Sequence, residues 1–201
     1  MKNIVVGITG ASGSIYGLRL IEELLRAEMQ VTVLLTNAGR QVLAFETGLE
    51  VSESSQECLQ QLKDHFNAAD NLSHYGLNDF FAPVASGSSA PDAVVICPCS
   101  MGTLGRIAAG LSDNLLERVA DVALKEQKKL LLVPRETPFN QIHLENLLRL
   151  SKAGVQILPA MPGFYQQPET VADLVDFVVG KILDNLGVEH QLFKRWGTEE
   201  R

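Results

Sequence analysis

Two adjacent residues that could take part in chemistry, Arg135 and Glu136, lie in the string PRETP at 134–138, directly after an apolar run. An arginine can clamp a phosphate through two parallel hydrogen bonds, and a neighbouring carboxylate is placed for proton transfer. Thr137 and Pro138 suit the N-cap and first position of a helix, so the pair would project where ligands lie. An ordinary solvated ion pair at a helix start is the alternative interpretation.

A second candidate is the loop GASG at 10–13, which follows the first apolar run with the spacing Gly7-x-x-Gly10-x-x-Gly13. Glycines let backbone N–H groups approach an anion, and the start of a helix adds partial positive charge. The Ser12 hydroxyl could donate to the same phosphate. A tight turn without a ligand would use the same residues.

The residues around this loop argue against a dinucleotide. The spacing is not G-x-G-x-x-G, and the second apolar run ends at Thr36 and Asn37, with no acid for a ribose hydroxyl. No tyrosine has a lysine four residues later, as a short-chain reductase requires. A mononucleotide such as FMN, with one phosphate for one loop, fits better.

Three further strings carry polar or stiff residues. The turn at 97–103, CPCSMGT, could line a flat ring, and the loop at 159–165, PAMPGFY, could be an apolar wall or an ordinary turn. The serines at 86–89 are of the kind that contacts small anions. Cys97 and Cys99 suggest a metal, but neither a second cysteine pair nor a nearby histidine completes a site, so buried thiols are favoured. The four scattered histidines form no metal or triad pattern.

These strings are positioned by alternating strands and helices. Strand-like apolar runs lie at 4–9, 31–35, 93–97, 129–133 and 155–158. One helical pattern follows the glycine loop, and a second follows the run at 31–35 and ends near residue 47, where Gly48 would supply the C-terminal cap. Further helical patterns lie at 55–66, 102–109, 113–125, 138–152 and 169–186. The alternation predicts an α/β fold, a flavodoxin-like or Rossmann-like three-layer parallel sheet with helices on both faces, in one domain over 1–201 with a C-terminal helix and tail. Ligands of such sheets bind at the carboxyl ends of the strands, near the topological switch point.

Composition narrows the class of function. The net charge of −7 does not predict a basic surface for nucleic acid, so any bound phosphate must be held by a few local groups. The sequence predicts neither a signal peptide nor a membrane span. Three cysteines, an odd number, do not suggest a disulfide framework and suit a reducing cytoplasm.

Several long strings together resemble the flavin prenyltransferase family, and the resemblance covers nearly the whole chain. The strings are ITGASGSIYGLRL, FAPVASGSSAPDAVVICPCSMGTL, ERVADVALKE, LLLVPRETPFNQIHLENLLRL and PAMPGFYQQP. Enzymes of this family make prenylated FMN for partner decarboxylases of the ubiquinone and aromatic-acid pathways. The resemblance also implies a homo-oligomer, commonly a dodecamer, with the prenyl site at a subunit junction.

The resemblance assigns residues to two ligands. The positions that match FMN contacts are Gly10, Ala11, Ser12, Thr36, Ser100, Met101, Gly102, Thr103 and Arg135. The positions that match the dimethylallyl phosphate site or line its pocket are Glu46, Ser86, Arg118, Lys125, Glu136, Tyr165, Lys181 and Trp196. The family usually has arginine where this chain has Lys181, so the charge is kept and the bidentate fork is lost.

The implied reaction joins the dimethylallyl group to N5 of reduced FMN with loss of phosphate, and then closes a ring onto C6. Arg118, Lys125 and Lys181 suit the departing phosphate, while the π-faces of the flavin and Trp196 suit an allylic cation. Glu136 is the acid/base candidate, with Ser12 assisting proton transfer at the flavin. The implied reaction needs no metal.

Three alternatives stay open. An FMN-dependent decarboxylase of the cysteine-decarboxylase group would rely on a histidine near the flavin, a pattern the present histidines do not match. A direct aromatic-acid decarboxylase would leave Arg118, Lys125 and Lys181 without a task. A non-catalytic carrier of modified flavin would use the same binding residues as the enzyme.

Overall fold

A computed structural model describes residues 2–68 and 70–193, and its centre is a parallel sheet of six strands. The strands are β1 (Asn3–Ile8), β2 (Gln30–Leu35), β3 (Leu72–His74), β4 (Ala93–Cys99), β5 (Lys129–Pro134) and β6 (Gln156–Ile157). Their order across the sheet is β3-β2-β1-β4-β5-β6, and every neighbouring pair is parallel.

Helices cover both faces of the sheet, which confirms the predicted fold class. The helices are α1 (Ser14–Arg26), α2 (Asn37–Thr47), α3 (Ser55–Phe66), α4 (Met101–Ala108), α5 (Leu115–Lys125), α6 (Gln141–Lys152) and α7 (Val171–Leu186). Ile4, Val6 and Ile8 of β1 face one buried core with α1, α3 and α7, whereas Val5 faces a second core with α4 and α5. The strand is apolar on both sides because both faces are covered.

The switch point lies between β1 and β4. From β1 the chain crosses to β2 on one side, while β4 pairs with β1 on the other side. The loops after β1 and β4 therefore diverge at the carboxyl ends of the strands and leave a crevice between them. The glycine loop and the start of α4 lie at these carboxyl ends, which form the switch-point edge of the sheet.

Helix ends follow local capping chemistry. Thr36 caps α2 by accepting a hydrogen bond from the amide of Gly39, and Gly48 ends this helix with φ of 73°, as predicted. The predicted start of α6 is wrong, because Asn140 rather than Thr137 is the N-cap. Asn140 forms a capping box with His143, so the helix begins after Pro138.

Other differences come from polar or exposed residues. Strand β3 was not predicted, since its three residues include Ser73 and His74 and present no apolar run. Ile15 at the start of α1 and Val171 at the start of α7 are apolar, yet they are 44% and 70% exposed. Within the described residues, no helix is long and apolar enough to cross a membrane.

Candidate functional site

Three helices begin at the switch-point edge, directly after strands β1, β2 and β4. Ser100 caps α4, where its hydroxyl oxygen accepts from the Thr103 amide at 3.3 Å and donates to Thr103 Oγ1 at 3.1 Å. The first amides of a helix have no intrahelical acceptor, and they carry partial positive charge. This edge therefore suits an anionic ligand although the chain is acidic overall.

A buried hydroxyl joins the two strands at the switch point. Thr9 Oγ1 donates to the carbonyl of Pro98 at 2.8 Å and accepts from the amide of Ser100 at 2.7 Å. Thr9 is fully buried, so these bonds are shielded from water. The start of α4 is thereby fixed relative to the glycine loop. In the sequence, the only sign of this role of Thr9 is a polar residue at the end of an apolar run.

The glycine loop holds an internal anion. The Glu46 carboxylate accepts from the amides of Gly13 at 2.9 Å and Ser14 at 2.9 Å. Partial burial of this carboxylate would raise its pKa, but hydrogen bonds from the Ser12 hydroxyl and the two amides outweigh burial and lower the pKa. At these two amides the anion is the Glu46 side chain of α2, whereas the residues of the loop predicted a ligand phosphate.

Arg135 and Glu136 lie at the end of β5 and point to different partners. Arg135 Nε donates to the carbonyl of Ser12 at 3.0 Å, which brings the β5 end to the glycine loop. The Glu136 carboxylate accepts from the amide of Thr137 at 3.0 Å. Both side chains are half-buried, and no ion pair joins them in the described part of the chain. The solvated ion pair considered for this string is therefore not what the structure contains.

The two cysteines near β4 do not form a metal site. The strand is irregular between Ile96 and Cys99, and Cys97 packs in one core while Cys99 packs in the other. Burial raises the pKa of both thiols, and for Cys97 the neighbouring Cys99 adds to the effect. The described residues contain no group of three or more histidine, cysteine or acidic side chains suited to a metal.

Part of the predicted donor site forms a cluster beside α5. Ser86 Oγ lies 2.9 Å from Ser88 Oγ, and Arg118 Nε donates to the carbonyl of Ala85 at 3.2 Å. The ammonium of Lys125 lies against Gly87, where an added Cβ would be only 2.8 Å away. Arg118 also pairs with Asp121 at 2.8 Å and Lys125 pairs with Glu126, so both cations are partly compensated in the single chain.

Two further residues of the predicted donor site, Tyr165 and Lys181, lie on the opposite face, beside or within α7. The rings of Tyr165 and Phe177 meet edge to face with centroids 5.6 Å apart. Lys181 Nζ lies 5.8 Å from the centroid of Phe177 and 5.2 Å from that of Phe193. Trp196, assigned to the same pocket, lies outside the described residues.

A single chain does not bring these residues together. Lys125 ends α5 just before β5 begins, whereas Arg135 and Glu136 follow the end of β5. A strand of six residues spans roughly 16 Å, so Lys125 lies at the opposite edge of the sheet from Glu136. Lys181 belongs to the helix layer on the other face. The residues assigned to FMN share one edge, and those assigned to the donor do not.

The crevice has the features that a flat ring with one phosphate requires. A Cβ added at Gly102, in the first turn of α4, would meet no atom within 4 Å, so this helix start faces open space. On the other side a Cβ at Gly10 would lie 2.6 Å from Ala38 Cβ, which keeps the glycine loop close to α2. Arg135 supplies a cation between these walls. The residues present fit FMN.

Comparisons with known proteins match nearly the whole chain. A family model described as Flavoprotein matches residues 1–183. A protein of Halalkalibacterium halodurans named flavin prenyltransferase UbiX is 55% identical over 195 residues, which are 96% of this chain and 93% of that protein.

Two solved structures are similar over nearly their full length. One is AnUbiX (PadA1) in complex with FMN and dimethylallyl pyrophosphate, with a TM-score of 0.88, 35% identity and 99% of each chain covered. The other is a dodecameric FMN-dependent UbiX-like decarboxylase of Escherichia coli O157:H7, with a TM-score of 0.85 and 38% identity. The alignment with the latter covers 96% of this chain and 98% of that one.

Proposed function

The chain belongs to the flavoprotein family, among the flavin prenyltransferases, and from this membership we propose that it joins a dimethylallyl group to reduced FMN. The observation that carries the proposal is the full-length similarity to a protein solved with FMN and dimethylallyl pyrophosphate. The switch-point edge supports it, because Gly102, the glycine loop and Arg135 form walls suited to a mononucleotide. The product is prenylated FMN.

Bound FMN would supply the nucleophilic atoms N5 and C6. On the protein side, helix starts and Arg135 orient the cofactor, and the Ser12 carbonyl keeps the guanidinium in place. Glu136 is half-buried at the same edge and is assigned to proton transfer, with Ser12 beside the ionised Glu46 as the second candidate. Arg118, Lys125 and Lys181 are assigned to the phosphate that leaves.

We further propose that the donor site is completed by other copies of the chain. Lys125 and Glu136 are separated by the length of β5, and Lys181 lies on the opposite face from α5. An assembly with closed symmetry can bring such distant surfaces into one site. The similar E. coli protein is named as a dodecamer, which supports an assembly of this kind.

Product flavin would pass to a decarboxylase that uses it, in the cytoplasm. The three cysteines are unpaired thiols buried in the two cores, a state that a reducing compartment favours.

The test is anaerobic incubation of the purified oligomer with reduced FMN and dimethylallyl monophosphate, followed by the mass of the extracted flavin. A gain of one five-carbon unit, absent without protein, is the expected result. Parallel reactions with the pyrophosphate establish the donor, since the similar structure holds that form. Unmodified FMN from protein that binds both ligands would contradict the proposal.

A decarboxylase is the second candidate, because the E. coli relative is named as one. The same preparation with FMN and an aromatic acid, but without donor, would release carbon dioxide if this activity were present. A carrier would give neither product while still binding flavin. The mass of the flavin and the release of carbon dioxide together separate the three functions.

A further inference from the structure

An aromatic pair surrounds the cation of α7. The ammonium of Lys181 lies over the rings of Phe177 and Phe193, both within the distance at which a cation is attracted to a ring face. The two ring centroids are 5.6 Å apart with the planes at 36°, so they form one continuous wall. Phe177 belongs to α7, whereas Phe193 comes from the segment that follows it, residues 188–193.

This segment also contacts an acidic residue of α7, Asp184. Asp184 lies one helical turn from Lys181, where opposite charges commonly pair. Instead, its Oδ1 lies 3.3 Å from Nε2 of His190, and the imidazole is nearly fully buried. His190 Nδ1 accepts from the amide of Leu192 at 3.2 Å, so the proton of the neutral ring is on Nε2 and is donated to Asp184.

As a result, Lys181 has rings around it and no carboxylate against it. No carboxylate of the described residues lies within ion-pair distance of its ammonium, in contrast to Lys125, which pairs with Glu126. A cation that is held by π-faces keeps its full charge for an anion. The arrangement therefore favours a ligand with a phosphate group.

Gly180 makes the close approach of the segment possible. A Cβ at this position would lie 2.3 Å from a ring carbon of Phe193 and 2.8 Å from the His190 ring. Any side chain would displace the two rings from α7. The residue before Lys181 thus decides whether the segment can reach the cation.

We propose that residues 190–193 form a clamp that positions Lys181 to bind the phosphate of the prenyl donor. Phe193 and His190 are the positioning residues, and Gly180 leaves the space in which their rings pack against α7. Phe193 fixes the direction of the ammonium, and His190 holds the Asp184 carboxylate out of ion-pair contact with it. The proposal rests on the proposed prenyltransferase function for the identity of the phosphate ligand. A lysine positioned in this way binds phosphate, although it lacks the two parallel N–H donors of an arginine.

The first test is Phe193→Leu, which removes the ring and keeps an apolar side chain. The KM for dimethylallyl phosphate should rise about three-fold to five-fold, the scale of a partly exposed cation–π contact, while kcat and FMN affinity stay unchanged. Phe193→Tyr keeps the ring and should restore the original KM. Phe66→Leu is the matched control, because Phe66 packs, like Phe177, against the core that α7 helps to form, and no described lysine or arginine lies over its ring.

A second variant, Gly180→Ala, moves the clamp without altering any of its members. Alanine favours the helix, so the helix itself should remain stable while the rings are displaced. The KM should rise as in Phe193→Leu, and combining either change with Lys181→Met should add no further increase. Equal KM values for Phe193→Leu, Phe193→Tyr and the control would overturn the clamp.

A binding measurement separates this proposal from the prenyltransferase function. In protein with ¹³C-labelled lysine side chains, the Lys181 signal should show a ring-current shift that Phe193→Leu removes. Titration with inorganic phosphate should move this signal, with three-fold to five-fold weaker affinity in Phe193→Leu. If the wild type gives no prenylated flavin but Phe193→Leu binds phosphate more weakly than the wild type, the prenyltransferase function is contradicted and the clamp is supported. Equal phosphate affinities would overturn the clamp.

Discussion

The switch-point edge and the three basic residues Arg118, Lys125 and Lys181 are built in different ways. At the edge, three strand ends meet, Thr9 links β1 to β4, and Arg135 reaches the glycine loop, so topology alone assembles the crevice. The basic residues lie on helices of opposite faces, and Lys125 is at the far end of β5. Under the proposed function, one chain would form the flavin half of the site, whereas the donor half would need residues of more than one chain.

The largest effect is expected at the flavin half, from Glu136→Gln. The amide keeps the shape of the side chain and its acceptor for the Thr137 amide, but it cannot transfer a proton. The rate of prenylated-flavin formation should fall by about 100-fold or more, while FMN still binds. Single-turnover mass measurement checks the rate, and fluorescence titration checks binding. Unchanged turnover would reject the role of Glu136.

Mixed oligomers of two variants would show whether the flavin half and the donor half of one site come from different chains. Glu136→Gln and Lys125→Met should each be nearly inactive when expressed alone. Co-expressed at equal amounts, they should recover about a quarter of the wild-type activity, since about one site in four would combine a wild-type residue from each chain. No recovery, in mixed oligomers verified by mass, would mean that each site is formed within one chain.

An intermediate effect is expected from Glu46, which organises the glycine loop. Glu46→Gln should weaken FMN binding roughly ten-fold, because hydrogen bonds to a neutral acceptor are weaker than those to a carboxylate. In the wild type the carboxylate has a lowered pKa, so its contribution is present above its ordinary value of 4.5 and is lost as the pH falls through the lowered pKa.

Fluorescence titration of FMN at several pH values measures this effect. The ratio of wild-type to Gln-variant affinity should be constant above about pH 5 and fall in more acidic solution, because the FMN phosphate titrates alike in both proteins. Far-UV circular dichroism at each pH controls for unfolding. A fall of the same size in the variant would show that another group is responsible.

The smallest effect is expected at the donor half, from Lys181→Arg. A guanidinium can also stack on Phe177 and Phe193 and adds a second hydrogen bond to phosphate. The KM for the donor should fall about two-fold with kcat unchanged, as measured by initial rates. A higher KM would mean that the pocket is shaped for the lysine ammonium.

Many features of this protein could be predicted from the sequence because they depend on local patterns. The apolar runs at 4–9 and 93–97, with the intervening helical periodicity, predict a parallel sheet covered on both faces, and β1 and β4 are such strands. The resemblance of several long strings gave the family directly. Strand β3 and the start of α6 were not predicted, because a short polar strand and a capping box at Asn140 do not stand out from loop residues.

The sequence by itself determined the fold, the family and the residue types of the site, because periodicity, glycine spacing and long motifs are properties of neighbouring residues. Only the tertiary structure decided which groups meet. It placed the Glu46 carboxylate on the glycine loop, separated Cys97 from Cys99 and surrounded Lys181 with rings. Glu46 and the glycine loop are distant in the chain, and the two thiols lie on opposite faces of one strand. The geometry of these arrangements is set by how the helices pack on the sheet.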